Sequence, residues 1–355
     1  MYKKHVLFGL IIIILLFSSC KNSVTNNNEL SNISQKSTDN EINIEKLSVD
    51  FSDNDQEYRI INSFWYDNND ILFCLRRMGE HKESYIYHYN LSSETNNKIY
   101  DGQFDLNIDN TLVINDTEIG IQNYTGVVTF NPQTKELIEE ILPRKETTWI
   151  TTSYSRDMQY RLERNNDTIY LINNTTNESQ KINDSIGYDS MFFWSYNNIY
   201  FGYVSEYIII RLFNTESLEE IIFAGGVNFS LPEGFVDISS CKFIDNNNIL
   251  VGMLCENNSY YLIIDVNGNE INSFYIDRGN NSTILDIYDN KIYYILDVNN
   301  ERKLMCYDYI NDITTHLYST SAYIHCGKVS PNGESILFDQ YLNDTQEFYI
   351  AHFNN

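Results

Sequence analysis

The residues that could carry out chemistry are few and scattered. Beyond residue 20 the chain has five histidines, His81, His88, His316, His325 and His352, which only folding could bring together. No G-x-S-x-G nucleophile elbow, H-E-x-x-H zinc helix, paired Cys/His spacing or phosphate-binding glycine loop occurs. Asp265-Val-Asn-Gly-Asn-Glu270 begins like a calcium loop, but Glu270 stands where that loop needs glycine, so Asn267-Gly268 reads as a hairpin turn. Cys74, Cys241, Cys255, Cys306 and Cys326 are odd in number and lack C-x-x-C spacing. They read as small buried apolar residues, with one Cys241–Cys255 bridge as the alternative. No metal or cofactor is expected.

Two sets of residues could contact a ligand. Trp65, Trp149 and Trp194 each fall in a strand expected to lie innermost in its structural unit. There an indole either stacks on a sugar or a cation, or fills the wedge between neighbouring units, and packing is the favoured reading. The second set is the loop Arg76-Arg-Met-Gly-Glu-His-Lys-Glu83, where Arg76, Arg77, His81 and Lys82 form a cationic cluster in an acidic chain. A charged loop of this kind is also compatible with simple solvation.

The elements that must position these residues repeat. Tyr85–Asn90, Val127–Asn131, Thr168–Asn173, Ile209–Asn214, Leu262–Asp265 and Leu304–Asp308 are short apolar strands, each ending in Asn or Asp. The markers Asn90, Asn131, Asn173, Asn214, Asp265 and Asp308 follow one another at steps of 41, 42, 41, 51 and 43 residues. Asn or Asp leads a type I turn because its side chain accepts from backbone amides further on, so each marker predicts a hairpin. A second motif, apolar-x-x-Asn, precedes each hairpin at Trp65–Asn68, Trp194–Asn197, Phe243–Asn246, Ile287–Asn290 and Val329–Asn332. Tyr154–Asp157 fits it loosely, and the unit near Asn107–Asn110 fits it worst.

Each unit thus holds about four short strands in roughly 43 residues, the period of a propeller blade. The expected fold is all-β: a β-propeller of seven four-stranded blades, with six as the alternative count. The last unit lacks an outer strand, so the alternating Leu47-Ser-Val-Asp-Phe51 is expected to supply it and close the ring. Ser330-Pro-Asn-Gly-Glu-Ser-Ile-Leu-Phe338 resembles the strand motif of TolB-like and WD-type propellers, with Asn332 where Asp is usual.

At the N-terminus, Lys3 and Lys4 precede Val6–Phe17, an apolar run of 12 residues. A helix needs about 20 residues to span a bilayer, so the run reads as a secretory signal. Leu16-Phe-Ser-Ser-Cys20 resembles the lipobox of bacterial lipoproteins. That resemblance implies a signal peptide at 1–19, a diacylglyceryl anchor on Cys20 and an extracytoplasmic, membrane-attached location. Residues 20–44 then form a polar tether with a span on the order of 25–30 Å, and 45–355 form the propeller.

The net charge of −25 offers no basic footprint for nucleic acid. It also disfavours broad contact with anionic lipid, leaving membrane residence to Cys20. The leading expectation is a monomeric, tethered, non-catalytic module that binds a protein or a saccharide. Its alternatives are an extracellular hydrolase or lyase with a site in the central channel, and an accessory or sensory subunit of a membrane complex.

Overall fold

A computed structural model describes residues 42–353, except 50, 52–57, 78–83, 103–110, 116–117, 123–126, 132–133, 135, 141–150, 156, 166–167, 185–190, 257, 278–282, 299 and 343–344. The strands form seven four-stranded antiparallel sheets. Blades 1 to 6 are β2–β5 (58–102), β6–β9 (111–140), β10–β13 (151–184), β14–β17 (192–224), β18–β21 (235–277) and β22–β25 (283–320). Blade 7 is β26–β28 (323–352) with β1 (Asn43–Lys46) added at its outer edge. The unit with the weakest motif, blade 2, forms all four strands. First strands approach one another between blades 4 and 5, between blades 6 and 7, and between blades 7 and 1, where β26 (Tyr323–Val329) meets β2 (Tyr58–Trp65), so first strands lie innermost and the last blade meets the first.

The marker turns form as their residue types require. The side-chain oxygen of Asn90 accepts from the amide of Ser93, Asn131 from Thr134, Asn173 from Thr175 and Thr176, and Asn214 from Glu216 and Ser217. Asp265 accepts from Asn267 and Asn269, and Asp308 from Ile310 and Asn311. Four residues after the marker, Glu94, Asn177, Leu218 and Asp312 have positive φ, the left-handed residue that lets a type I turn feed a twisted hairpin. In blade 5 that conformation falls to Gly268, φ 84°.

The loosely matching Tyr154–Asp157 makes the same turn as its better-matching counterparts. The hydroxyl of Ser155 donates to Asp157 and accepts from the amide of Tyr160. Ser195 does so with Asn197 and Tyr200, and Ser330 with Asn332 and Ser335. The serine after the wedge residue builds this turn in three blades, whereas Tyr66, Ile244 and Tyr288 take its place in Trp65–Asn68, Phe243–Asn246 and Ile287–Asn290.

Ring closure differs from expectation in detail. The strand that pairs with β28 (Thr345–His352) is Asn43–Lys46, in register Asn43 with His352 through Lys46 with Tyr349. The boundary drawn between tether and propeller at residue 45 thus falls inside a strand. Leu47, Val49 and Phe51, read as the edge strand, instead turn their alternating side chains into the seam between blades 7 and 1. Phe51 meets Phe73 and Tyr87 edge-on at 5.5 and 5.2 Å, and Phe73 meets Phe348 at 4.7 Å. Burying each such ring contributes about 2–3 kcal/mol, so the seam is held by packing as well as by the four-residue ladder.

Candidate functional site

Register breaks interrupt the innermost strand pair in several blades. In blade 1, Ile60 pairs with Leu75 and Asn62 with Cys74, leaving an extra residue between them. In blade 7, Ile324 pairs with Gln340 and Gly327 with Phe338, so His325 and Cys326 together face Asp339 on β27 (Ser335–Leu342). Blade 5 carries its break opposite Gly252, on β18 (Phe235–Phe243), and blade 6 shifts beside Asp286 on β22 (Thr283–Tyr288). A bulge re-aims side chains that a regular strand would send to opposite faces.

Three charged residues stand on consecutive inner strands. Lys242 on β18, Asp286 on β22 and Lys328 on β26 each occupy the position just before the residue that wedges against the next blade. The ammonium of Lys328 lies 3.6 Å from Asp286, whose other oxygen accepts from the Val329 amide at 2.9 Å. Burial pushes the half-buried Lys242 down to about 8, with Lys328 adding to the fall and Asp286 opposing it. Lys242 and Lys328 thus stand on inner strands either side of the one that carries Asp286.

Beside Lys328, the blade 7 bulge gathers a second cluster. The Asp339 side chain is fully buried, accepting from the Cys326 amide at 2.7 Å and from the Gln346 side chain at 2.5 Å. His325 Nδ1 stands 3.6 Å away, an ion-pair distance, with its ring about a third exposed. Burial alone would raise the Asp339 carboxyl, but His325, Cys326 and Gln346 together hold it below its usual value. The Cys326 thiol is pushed up by burial and by Asp339, while Ser63 from blade 1 donates to it. A histidine ring nitrogen, the Cys326 sulfur and an Asp339 oxygen lie within 4.8 Å of one another, a donor set able to hold a metal ion.

The tryptophans are placed differently. Trp65 is 7 % exposed and its indole donates to the Lys328 carbonyl at 2.8 Å, bridging blades 1 and 7. Trp194 is similarly buried and donates to Ser153 Oγ of blade 3 at 3.2 Å. Both sit in apolar clusters shared by adjacent blades. Cys20, Trp149, His81 and Lys82 lie outside the described residues. Arg76 and Arg77 end β3 (Asp70–Arg77), with their side chains likewise outside.

The other described histidines bond within their own blades: His88 to Asp70 at 2.7 Å, His316 to Ser319, and His352 to Ser335. Cys241 and Cys255 are both buried and form no disulfide with each other, since Cys241 pairs with Val251 and Cys255 with Phe235. Sequence reasoning passed over Lys242, Asp286, Lys328 and Asp339, although a signal was present. In three consecutive repeats a lone charge precedes the wedge residue, in Ser-Cys-Lys-Phe243, Leu-Asp-Ile287 and Gly-Lys-Val329.

No family model matches the chain, and no curated protein matches its sequence. Solved structures match in fold. An oligogalacturonate lyase in complex with manganese aligns with a TM-score of 0.60 at 11 % identity, over 90 % of this chain and 99 % of its own. The oligogalacturonate lyase of Vibrio parahaemolyticus gives 0.59 at 12 % identity, over 88 % and 96 %. Dipeptidyl peptidase 4 of Porphyromonas gingivalis gives 0.51 at 10 % identity, over 83 % of this chain and 51 % of its own. At such identities the likeness establishes a β-propeller and nothing finer.

Proposed function

We propose that this chain is a lipid-anchored, extracytoplasmic propeller that binds an acidic saccharide, without turning it over, where the inner strands of blades 5, 6 and 7 meet. The observation that carries the reading is the pair of lysines, Lys242 and Lys328, on the inner strands around Asp286, set into a chain of net charge −25. An anion arriving there offsets the repulsion and desolvation that push Lys242 down, and in a half-buried site such a pair is stronger than in open water. Two solved neighbours are named for oligogalacturonate, itself an acidic saccharide, which supports that ligand class. The lipobox-like Leu16–Cys20 and the polar stretch after it support attachment to the membrane as a monomer on a flexible tether.

The thermal midpoint of the detergent-solubilised full chain tests this reading. It should rise saturably with oligogalacturonate, stay fixed with a neutral oligosaccharide of equal length, and lose the response in Lys328→Met. Equal shifts with neutral and acidic sugars would remove the charge argument. For the anchor, Cys20→Ala should move the chain from the membrane to the soluble fraction.

An enzyme is the second reading, favoured by one specific observation. A lysine lowered to about 8 in blade 5 and a His–Asp pair in blade 7 supply groups that can exchange protons near neutrality. Release of an unsaturated sugar product, abolished in Lys242→Met, would select it over plain binding.

A further inference from the structure

Among the described residues, His325, Cys326 and Asp339 form a group of three possible metal-ligating side chains, and the acidic-saccharide reading does not use it. We propose that it is a binding site for one borderline-soft divalent cation of the zinc type, ligated by His325, Cys326 and Asp339, with a fourth position open to water. Three observations carry this. First, Asp339 is 0 % exposed, and among the described residues its one ion-pair partner is His325, at 3.6 Å. A carboxylate removed from water needs compensation, and a divalent cation supplies it more fully than a histidine that must first take up a proton.

Second, the donors converge. His325 and Cys326 are adjacent in sequence and would point to opposite faces of a regular strand. The bulge between Ile324 and Gly327 brings both over Asp339, so that the three ligand atoms lie within 4.8 Å of one another. Around tetrahedral zinc, N, O and S donors lie about 3.3–3.8 Å apart, so the cluster must contract by about 1 Å. Rotation of the His325 ring, about a third exposed, supplies that movement and an entry path.

Third, the ligands are already held from outside. The Cys326 amide fixes one Asp339 oxygen, the Gln346 amide approaches the other, and Ser63 of blade 1 donates to the Cys326 sulfur. Outer bonds of this kind set ligand orientation in metal sites. A thiolate donor favours zinc over magnesium or calcium, which prefer oxygen. Binding releases the thiol proton to solvent, so the neutralised site carries the cation against two anionic ligands.

The test is a cobalt titration of the chelator-treated full chain. One equivalent should bind, with tetrahedral-type visible bands and a near-ultraviolet thiolate-to-cobalt band, and one equivalent of zinc should displace it. Cys326→Ser should lose the thiolate band, and Cys20→Ala should keep it. His325→Ala, at a position solvent already reaches, should fold normally and bind about 100-fold more weakly. Magnesium and calcium should produce no displacement. Absence of saturable cobalt binding in the folded wild type overturns the site. So does a thiolate band that survives Cys326→Ser or disappears in Cys20→Ala.

Discussion

Blades 1 and 7 share one backbone device and fill it with opposite chemistry. In blade 1, Ile61 and Asn62 stand over Cys74; in blade 7, His325 and Cys326 stand over Asp339. Cys74 is fully buried in apolar surroundings, and burial alone pushes its thiol up. Asp339 is equally buried, yet it is surrounded by donors that hold its carboxyl down. A bulge is thus a neutral structural feature: it bends the inner strand in both blades, and only the side chains decide whether it becomes a site. That the two blades flank the closing seam, with Ser63 of one touching Cys326 of the other, ties any chemistry there to the integrity of the ring.

Exchanging the two blades' residues should give the largest effect. Cys74→Asp places a carboxylate at a fully buried position without the donors that surround Asp339, and should cost more than about 4 kcal/mol, read as a lowered denaturant midpoint. Asp339→Asn keeps the shape in blade 7 but weakens bonds to the Cys326 amide and Gln346, and should cost about 2 kcal/mol at neutral pH. Because the folded Asp339 carboxyl lies below its ordinary value, its stabilisation is present above the unfolded value near 4 and lost as pH falls through the folded one. The gap between wild type and Asp339→Asn should therefore close on acidification, measured as thermal midpoints at descending pH. A gap that is constant down to pH 2 would mean that charge plays no part in the difference between the blades.

Smaller effects sharpen the comparison at the seam and the axis. Trp65→Phe keeps most of the ring but removes the bond to the Lys328 carbonyl, and should cost about 1 kcal/mol without weakening ligand binding. Trp65 contributing to ligand affinity would return it to the stacking role that the sequence allowed. Lys242 works in the other direction. Its folded value near 8 lies below the unfolded one, so the unfolded chain holds more protons between about pH 8 and 10, and stability rises with pH there. Lys242→Met should raise the thermal midpoint slightly at pH 7 and flatten that rise, the pattern of a group kept for binding at some cost in stability.

The outer hairpins were legible because their signals are local. An Asn or Asp that accepts from amides two to four residues on needs no distant partner, and each of the six markers makes at least one such bond. Even the missing edge of blade 7 could be inferred from the count of strands, though not which residues fill it. Leu47–Phe51 alternates as an edge strand should, but the same alternation serves a segment lying between two blades. The axial groups were not legible, because three strands from three repeats supply them and a bulge re-aims one of the three. His325 and Cys326, read as neighbours in a regular strand, belong on opposite faces. Asp339 in Ser335-Ile-Leu-Phe-Asp-Gln340 looks like the polar end of a strand, whereas it is 0 % exposed.

The most direct test of the account is the affinity for oligogalacturonate as a function of pH, measured by titration calorimetry from pH 6.5 to 9.5. If Lys242 holds the ligand's carboxylate, wild-type affinity falls as pH rises through about 8, and Lys242→Arg, which stays charged, removes the fall. An affinity that is unchanged across that range in the wild type, or that falls identically in Lys242→Arg, would contradict the assignment of the axial lysines as the binding site.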